Sequence, residues 1–307
     1  MAEPPEPNVK RHGRPAHQRR TGALGGLAVG LAILAAVVWL LVGRGGGEEE
    51  ADPVSPPADT AALPPPKQVL RIVFPEGFTR KQMTARIAEV NEIAELERGI
   101  VTSLSSNAYL RVTKTMGLLP SGFDAPNAKN LEGFLFPATY DFTEDTTVRE
   151  LVGLQLEAFA HAWGKVDLAY AKSKNLTPYD VLIIASMVEE EVQVAKERPL
   201  VAAVIYNRLR KRLPLGIDAT IRYGLNIPPT KAIRQSQLDS DNPYNTRNRL
   251  GLPPTPISNP GLASLQAAAH PADVDYLYFI RKADCKSHFF TASEQEFLDY
   301  PREGLQC

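Results

Sequence analysis

The sequence predicts an α+β protein in three parts: an N-terminal transmembrane helix, a small α+β module and a larger mixed α+β domain. Three observations support this prediction. An uncharged apolar run is followed by a Pro-, Gly- and Glu-rich stretch, and strand-like and helix-like patterns begin only after both. The predicted boundaries are a basic tail at 1–20, a transmembrane helix at 21–43, a linker at 44–67, the module at 68–118 and the larger domain at 119–307.

The apolar run is long enough to cross a membrane. Gly22 to Val42 carries no charged residue, and a bilayer core of roughly 30 Å needs about 20 apolar residues in a helix. The tail before the run is basic, and the positive-inside bias places such a tail in the cytoplasm. We therefore expect a single-pass protein of the cytoplasmic (inner) membrane, with everything after Arg44 on the extracytoplasmic or periplasmic side. A cleaved signal peptide is the alternative, although its apolar region would be only about 7–15 residues long.

The linker, the charge and the motif content narrow the class of protein. Residues 44–67 are too polar and too Pro-rich to bury a core, so we expect a tether. The formal net charge of -1 argues against a nucleic-acid-binding protein. Neither a metal nor another cofactor is expected, because the chain lacks His-Glu-x-x-His, Cys-x-x-Cys and Gly-rich phosphate-loop motifs. The two cysteines, Cys285 and Cys307, are predicted to form one disulfide in an oxidising compartment.

The small module is predicted from one strand and two helices. Val69 to Phe74 alternates along its length and indicates a short strand, which the turn signal Pro75-Glu-Gly77 ends. Thr79 can cap a helix that continues to about Val90, and a second helix is predicted over Glu92–Ile100.

Three helices are predicted in the larger domain, over 147–163, 178–196 and 199–212. The second has Thr177 as its N-cap and Pro178 in its first turn, and both residues favour a helix start. Its residues 181–188 are apolar on every side apart from Ser186, which predicts a buried helix.

An acidic run follows this buried segment, at Glu189, Glu190 and Glu191. Desolvation and neighbouring like charges both raise the pKa of a carboxyl group, and a raised pKa suits a general acid. The alternative is a solvated acidic helix end, and the pattern alone does not tell which of the three carboxyl groups faces a cleft.

Several segments of the larger domain are similar to the signature blocks of one enzyme family. They are Leu-Glu-Gly-Phe-Leu-Phe-Pro-Ala-Thr-Tyr at 131–140, Ala-Ser-Met-Val-Glu-Glu-Glu at 185–191, Glu-Arg-Pro-Leu-Val-Ala-Ala-Val-Ile-Tyr-Asn-Arg-Leu at 197–209, Leu-Gly-Ile-Asp-Ala-Thr-Ile-Arg-Tyr-Gly at 215–224, Pro-Tyr-Asn-Thr at 243–246, Gly-Leu-Pro-Pro-Thr-Pro-Ile at 251–257 and Asn-Pro-Gly at 259–261. In this order they resemble the endolytic murein transglycosylases of the YceG-like family. Members carry a basic N-terminus, one membrane span and a LysM-like module before the catalytic domain, so the resemblance implies that residues 68–118 are LysM-like and residues 119–307 catalytic.

The resemblance implies a lyase that cuts inside peptidoglycan glycan strands, near nascent material. The bond cleaved is the β-1,4 bond between N-acetylmuramic acid and N-acetylglucosamine, and the product is a 1,6-anhydro end. A single glutamate acts as general acid and then as general base; by resemblance it is Glu189, with Glu191 as the closest competitor. Glycan polymerases, that is peptidoglycan synthases, are the protein partners that the resemblance implies. An ordinary glycoside hydrolase and a non-enzymatic peptidoglycan-binding scaffold are the alternatives.

Other polar and aromatic residues of the blocks could contact N-acetyl sugars. These candidate substrate-binding residues are Glu132, Glu191, Asn207, Asp218, Thr220, Tyr223, Tyr244, Asn245 and Thr246. For Glu132 the alternative is a structural role as partner of a backbone amide or an arginine. Arg198 is expected to form an ion pair, and His288 lies in a strand-like stretch. The chain departs from the family pattern at Ala138, Gly216, Ala219 and Arg247, where Asp, Gln, Pro and an aromatic residue are usual.

Overall fold

The computed structural model describes residues 67–119 and 123–301, which belong to one compact unit. The predicted tail, the predicted transmembrane helix at 21–43, nearly all of the linker and Cys307 lie outside the described residues. Among the helices of the described residues, none is long and apolar enough to cross a membrane.

The predicted first strand is confirmed. β1 (Leu70–Val73) pairs antiparallel with β2 (Thr139–Phe142), with Leu70 opposite Phe142. Leu70 and Ile72 are buried whereas Arg71 and Val73 are exposed, as the alternation in the sequence predicts. The two paired strands lie on either side of the predicted boundary at 118/119, which itself stays a prediction.

One helix replaces the two that were predicted after β1. α1 extends from Arg80 to Arg98, and Thr79 and Gln82 form a reciprocal capping box at its start. The prediction of a break near Asn91 is wrong because no Gly or Pro interrupts the segment there. The helix ends at Gly99, whose φ of 65° lies in the left-handed region that favours glycine. α2 (Ser106–Val112) follows.

The larger part of the chain is mostly helical, with one terminal β-hairpin. Its elements are α3 (Val148–Trp163), α4 (Ala169–Ser173), α5 (Pro178–Glu191), α6 (Arg198–Lys211), α7 (Asp218–Leu225), α8 (Gln235–Leu238), α9 (Leu262–Ala269), β3 (Tyr278–Arg281), β4 (His288–Thr291) and α10 (Glu294–Asp299). β3 and β4 pair antiparallel, and the predicted strand around His288 is confirmed. The predicted helices at 147–163 and 199–212 are confirmed as α3 and α6.

α5 is the central helix, and it ends earlier than the sequence predicts. Every residue from Val181 to Val188 is buried, which confirms the predicted buried helix, and the helix packs on α6 and α9. The prediction that it continues to Lys196 is wrong, because Val192 is extended and the helix stops at Glu191. Three adjacent negative charges are unfavourable at the negative end of a helix dipole, which is a physical reason for a stop at this point.

Candidate active site

An open cleft of about 1410 Å³ lies beside the C-terminal end of α5. Its walls come from the start of α1, from α7, from the loop after α8 and from the β3–β4 hairpin. The carboxyl groups along it belong to Glu132, Glu190, Glu191 and Asp218. A cleft of this size with a few convergent polar groups is the usual form of a ligand-binding site.

Glu191 lies on the wall of the cleft, and its environment favours the neutral acid. Desolvation raises the pKa of Glu191 to about 7, against the opposing effects of Arg281 and the backbone N–H of Ala219. Desolvation also raises the pKa of Glu190, with further contributions from Glu189 and Glu191, although its side chain is more exposed. The expectation of raised carboxyl pKa values at this helix end is confirmed for these two residues.

Glu189 faces a different direction and is not among the residues that line the cleft. Its Oε2 accepts a hydrogen bond of 3.0 Å from the backbone N–H of Gly261, at the start of α9. Its Oε1 lies 3.6 Å from Nη2 of Arg198, and the side chain is only 7% exposed. Both contacts stabilise a negative charge on this carboxylate.

Arg198 joins Glu189 to an acidic residue that the sequence analysis missed. Its Nε donates to Oγ of Ser264 over 3.0 Å, which fixes the guanidinium. Its Nη2 lies 3.6 Å from Glu189 and 3.9 Å from Oε2 of Glu76, so the predicted ion pair of Arg198 is confirmed. Glu76 was interpreted only as part of a turn signal, because nothing in the sequence relates it to residues more than a hundred positions away.

Glu132 is a buried structural acceptor as well as a cleft residue. Its Oε1 accepts from the backbone N–H of Arg80 and from Nδ2 of Asn259, each over 2.7 Å, and its Oε2 accepts from the Tyr223 hydroxyl over 3.2 Å. Burial raises the pKa of Glu132 to about 7, although these three donors oppose the shift. The contact with the Arg80 amide is the structural role given as its alternative, at the N-terminus of α1.

Asn259 is a second residue that the sequence analysis did not single out. It is fully buried, and its Oδ1 accepts from the backbone N–H groups of Gly133 and Leu135 over 2.8 and 3.0 Å. Its Nδ2 donates to Glu132 and to the carbonyl of Phe78, over 2.7 and 2.8 Å. One amide therefore joins the turn after β1, the Leu-Glu-Gly block and the segment before α9. The Asn-Pro dipeptide indicates only a turn.

Two aromatic residues and one ion pair complete the cleft. Tyr223 and Tyr244 line it with ring centroids 5.1 Å apart, and the Tyr244 hydroxyl lies 2.7 Å from that of Thr255. Asp218 is held by Arg247 through contacts of 2.9 and 2.6 Å. The departure at Arg247 thus places a cation on a cleft carboxylate.

Four predicted substrate-binding residues make internal hydrogen bonds, and their binding role stays a prediction. Thr220 and Thr246 are buried, with hydroxyl oxygens 3.0 Å apart, and Thr246 also accepts from the backbone N–H of Ile217. Asn245 is fully buried, and its amide donates to two backbone carbonyls of the α8 loop. Asn207 donates to the carbonyls of residues 274 and 276. None of the four is among the residues that line the cleft.

The remaining candidates have structural contacts. The His288 ring is buried and lies 2.8 Å from the carboxylate of Glu197. Cys285 is not a free cysteine, and its predicted bond to Cys307 stays a prediction because Cys307 lies outside the described residues. The described residues contain no group of three or more His, Cys, Asp and Glu side chains that could hold a metal ion.

Three of the departures from the family pattern lie in the cleft wall. Gly216 and Ala219 line it together with Arg247, and Gly216 has a φ of 66°, which favours glycine over the usual Gln. Ala138 instead contributes its backbone, since its carbonyl accepts from the amide of Phe74 over 2.9 Å.

Comparison with models of protein families identifies the family of this chain. It belongs to the YceG-like family, whose model matches residues 54–303.

Named relatives and a solved structure agree with that membership. The chain is 31% identical over 218 residues to the endolytic murein transglycosylase of Bacillus subtilis, covering 70% of this chain and 59% of that protein. It is 30% identical over 276 residues to the endolytic murein transglycosylase of Streptococcus pneumoniae R6, covering 83% of this chain and 46% of that one. A crystal structure of a YceG-like protein from Listeria monocytogenes superimposes with a TM-score of 0.63 at 28% identity, over 74% of each chain. The chain thus spans about half the length of these named relatives.

Proposed function

We propose that this protein is an endolytic lytic transglycosylase of peptidoglycan. The observation that carries the proposal is the acidic end of the buried helix α5, which lies beside an open cleft large enough for a saccharide. The names of the relatives support the substrate class. The bond broken is the β-1,4 bond between N-acetylmuramic acid and N-acetylglucosamine, and the expected product end is 1,6-anhydromuramic acid.

One carboxyl group suffices for this reaction. The protonated acid gives its proton to the glycosidic oxygen as the bond to the anomeric carbon breaks. The resulting carboxylate then takes the proton of the muramyl 6-hydroxyl, whose oxygen closes on the anomeric carbon. The acid therefore ends the cycle protonated, and no water is consumed. A hydrolase, by contrast, needs a second carboxylate to activate water or to serve as nucleophile.

Glu189 is our assignment for this acid and base, on the basis of its place in the Ala-Ser-Met-Val-Glu block. Its contacts with the Gly261 amide and with Arg198 suit the first half-reaction, because they stabilise the carboxylate that forms when the acid gives its proton to the glycosidic oxygen. The Glu189 side chain is 7% exposed, and the turn at Glu76 and Gly77 packs against it.

Glu191 is the second candidate, and a specific observation favours it. Its carboxyl group lies on the wall of the cleft, and desolvation raises its pKa to about 7, a value that suits a general acid near neutral pH. Tyr223 and Tyr244 on the same cleft present aromatic faces on which a sugar ring can pack.

The experiment uses the full-length chain in detergent and purified uncrosslinked glycan strands, with mass spectrometry of the new ends. We expect 1,6-anhydro ends from the unchanged protein. Glu189→Gln should lower their rate of formation by about 10²–10⁴-fold, the usual contribution of a general acid–base. Glu157→Gln, which changes an exposed acid on α3, is the matched control and should behave like the unchanged protein.

Each other outcome has a definite meaning. An active Glu189→Gln protein together with an inactive Glu191→Gln protein moves the assignment to Glu191. Reducing ends that carry the elements of water make the protein a hydrolase, with Glu132 and Asp218 as further carboxylates to test. Strand binding without cleavage makes it a peptidoglycan-binding scaffold.

We also propose that the protein is anchored in the cytoplasmic (inner) membrane through residues 21–43. In this arrangement the tail is cytoplasmic, residues 68–118 form a LysM-like module, and the catalytic domain lies in the periplasm or outside the cell.

Protease added to spheroplasts should digest residues 68–307 and leave a membrane-bound N-terminal fragment. A mature chain that begins after residue 43 would show a cleaved signal peptide instead. Glycan polymerases are the proposed partners, and crosslinked membranes that yield none of them with this protein would count against that.

A further inference from the structure

The turn after β1 brings a second carboxylate to Glu189. Glu76 lies in this turn, and its Oε2 is 3.9 Å from Nη2 of Arg198. The same nitrogen is 3.6 Å from Oε1 of Glu189. The Glu76 side chain is 50% exposed, whereas those of Arg198 and Glu189 are 15% and 7% exposed. A solvent-accessible acid and a shielded acid therefore share one guanidinium.

Close packing and backbone hydrogen bonds hold the turn in this position. The amide of Gly77 donates to the carbonyl of Asn259 over 3.0 Å. A Cβ at Gly261 would overlap the Glu76 carboxylate, so the glycine at the start of α9 permits the close approach. A Cβ at Gly77 would lie 3.2 Å from Oε1 of Glu190, which places the turn directly against the acidic end of α5.

The charges in this cluster do not balance. Glu76 and Glu189 can carry two negative charges, Arg198 carries one positive charge, and Glu190 adds a further acid beside Glu189. Desolvation raises the pKa of Glu76, Glu189 raises it further, and Arg198 opposes the shift. Two carboxylates that face one cation compete for it, so removing either one leaves the cation fully available to the other.

We propose that Glu76 is a positioning residue for the lytic reaction, because it competes with Glu189 for Arg198 and limits how strongly Arg198 holds Glu189 as an anion. This inference rests on the proposed role of Glu189. The first half-reaction needs Glu189 to hold a proton when substrate is bound, and an arginine committed to Glu189 alone would oppose this. Glu76 lies in the predicted module at 68–118, so in this proposal that segment takes part in the chemistry.

The test is the pH dependence of kcat for the full-length protein acting on uncrosslinked strands. Glu76→Gln should move the alkaline limb of the profile to lower pH by up to about one unit, which is a loss of up to about tenfold in kcat on that limb. KM should stay unchanged, and kcat should recover at acidic pH. Glu76→Asp keeps the charge and should keep most of the activity, whereas Glu76→Ala should act like Glu76→Gln.

A matched control and a folding check separate this role from a structural one. Glu97→Gln removes an acid from the far end of α1, about 25 Å along the helix from its start, and should leave the profile unchanged. A purely structural effect would lower kcat equally at every pH, with a lower unfolding temperature, and would overturn the inference. An unchanged Glu76→Gln profile beside an inactive Glu189→Gln protein would overturn it while leaving the proposed function standing. An active Glu189→Gln protein would remove the assignment and the inference together.

Discussion

Single buried polar side chains connect the parts of the chain that surround the candidate active site. Asn259 uses both amide atoms on partners from two separate stretches of chain, and Glu132 accepts from three donors. Buried polar groups are tolerated only when they are hydrogen-bonded, and loss of one partner exposes the others to the full cost of desolvation. The structure of the cleft therefore depends more on a few buried amide and carboxyl groups than on the residues that face solvent.

Asn259→Ala should be strongly destabilising. It leaves the buried amides of Gly133 and Leu135 without their acceptor, and each unsatisfied group costs about 1–3 kcal/mol. We expect the free energy of unfolding, measured by urea denaturation, to fall by about 3 kcal/mol. Asn248→Ala, which removes an exposed amide that bonds a loop carbonyl, is the control and should change it by less than about 1 kcal/mol. Equal effects of the two changes would contradict this account.

Helices and turns are set by local signals, but two glycines with positive φ serve different purposes. Gly99 ends α1 at a φ of 65°, and a Cβ there would meet no atom within 4 Å. Gly133 has a φ of 89° in the Leu-Glu-Gly turn, and its Cβ would lie 2.6 Å from Cγ of Pro256. Position 99 therefore needs glycine only for its left-handed backbone conformation. Position 133 needs glycine for that conformation and also because a larger side chain would clash with Pro256.

The two alanine substitutions should therefore differ in cost. Gly99→Ala should reduce the free energy of unfolding by about 1–2 kcal/mol, the cost of a left-handed conformation for an L residue. Gly133→Ala adds overpacking against Pro256, typically about 1–3 kcal/mol, so we expect a total of about 3 kcal/mol. Chemical denaturation of the two variants in parallel measures the difference. If Gly133→Ala lowers the free energy of unfolding no more than Gly99→Ala does, the turn at Gly133 adjusts to relieve the clash with Pro256.

At the scale of the whole molecule, buried acids make stability depend on pH. Burial raises the pKa of Glu132 to about 7 in the folded protein, from an ordinary value of 4.5. Between these two values the folded protein binds more protons than the unfolded chain, so the free energy of unfolding falls as pH rises through this window. At pH values above the pKa of Glu132 in the folded protein, this group no longer changes the free energy of unfolding with pH.

Glu132→Gln should flatten that dependence. The full difference corresponds to a decrease of about 3 kcal/mol between pH 4.5 and pH 8, and the variant should lack most of it. Urea denaturation at several pH values measures the slope, which is a safer readout than the absolute stability because the glutamine also changes hydrogen bonds. Glu157→Gln is the control and should keep the slope of the unchanged protein. An identical slope in Glu132→Gln would show that Glu132 is ionised throughout.

Local and periodic features of this protein follow from its sequence. The strand at Leu70–Val73, the capped start of α1 and the buried helix α5 were all predicted, because alternation, capping residues and continuous apolar runs act within one turn or one strand. Motif order also predicted the family. The break predicted within α1 and the late end predicted for α5 were wrong, since helix ends depend on small local differences in energy.

Only the tertiary structure decided the different surroundings of the three acids at the end of α5. The hydrophobic pattern does not distinguish the three acids at 189–191. In the folded protein α9 and the turn after β1 pack near Glu189, and its neighbours are Arg198, Gly261 and Glu76. Glu191 instead lies on the cleft wall. These contacts join residues far apart in the chain, and no periodic signal encodes a pairing of that kind. The physical reason is that the sequence specifies which side chain stands at each position, whereas its desolvation and its charged neighbours depend on how distant segments pack together.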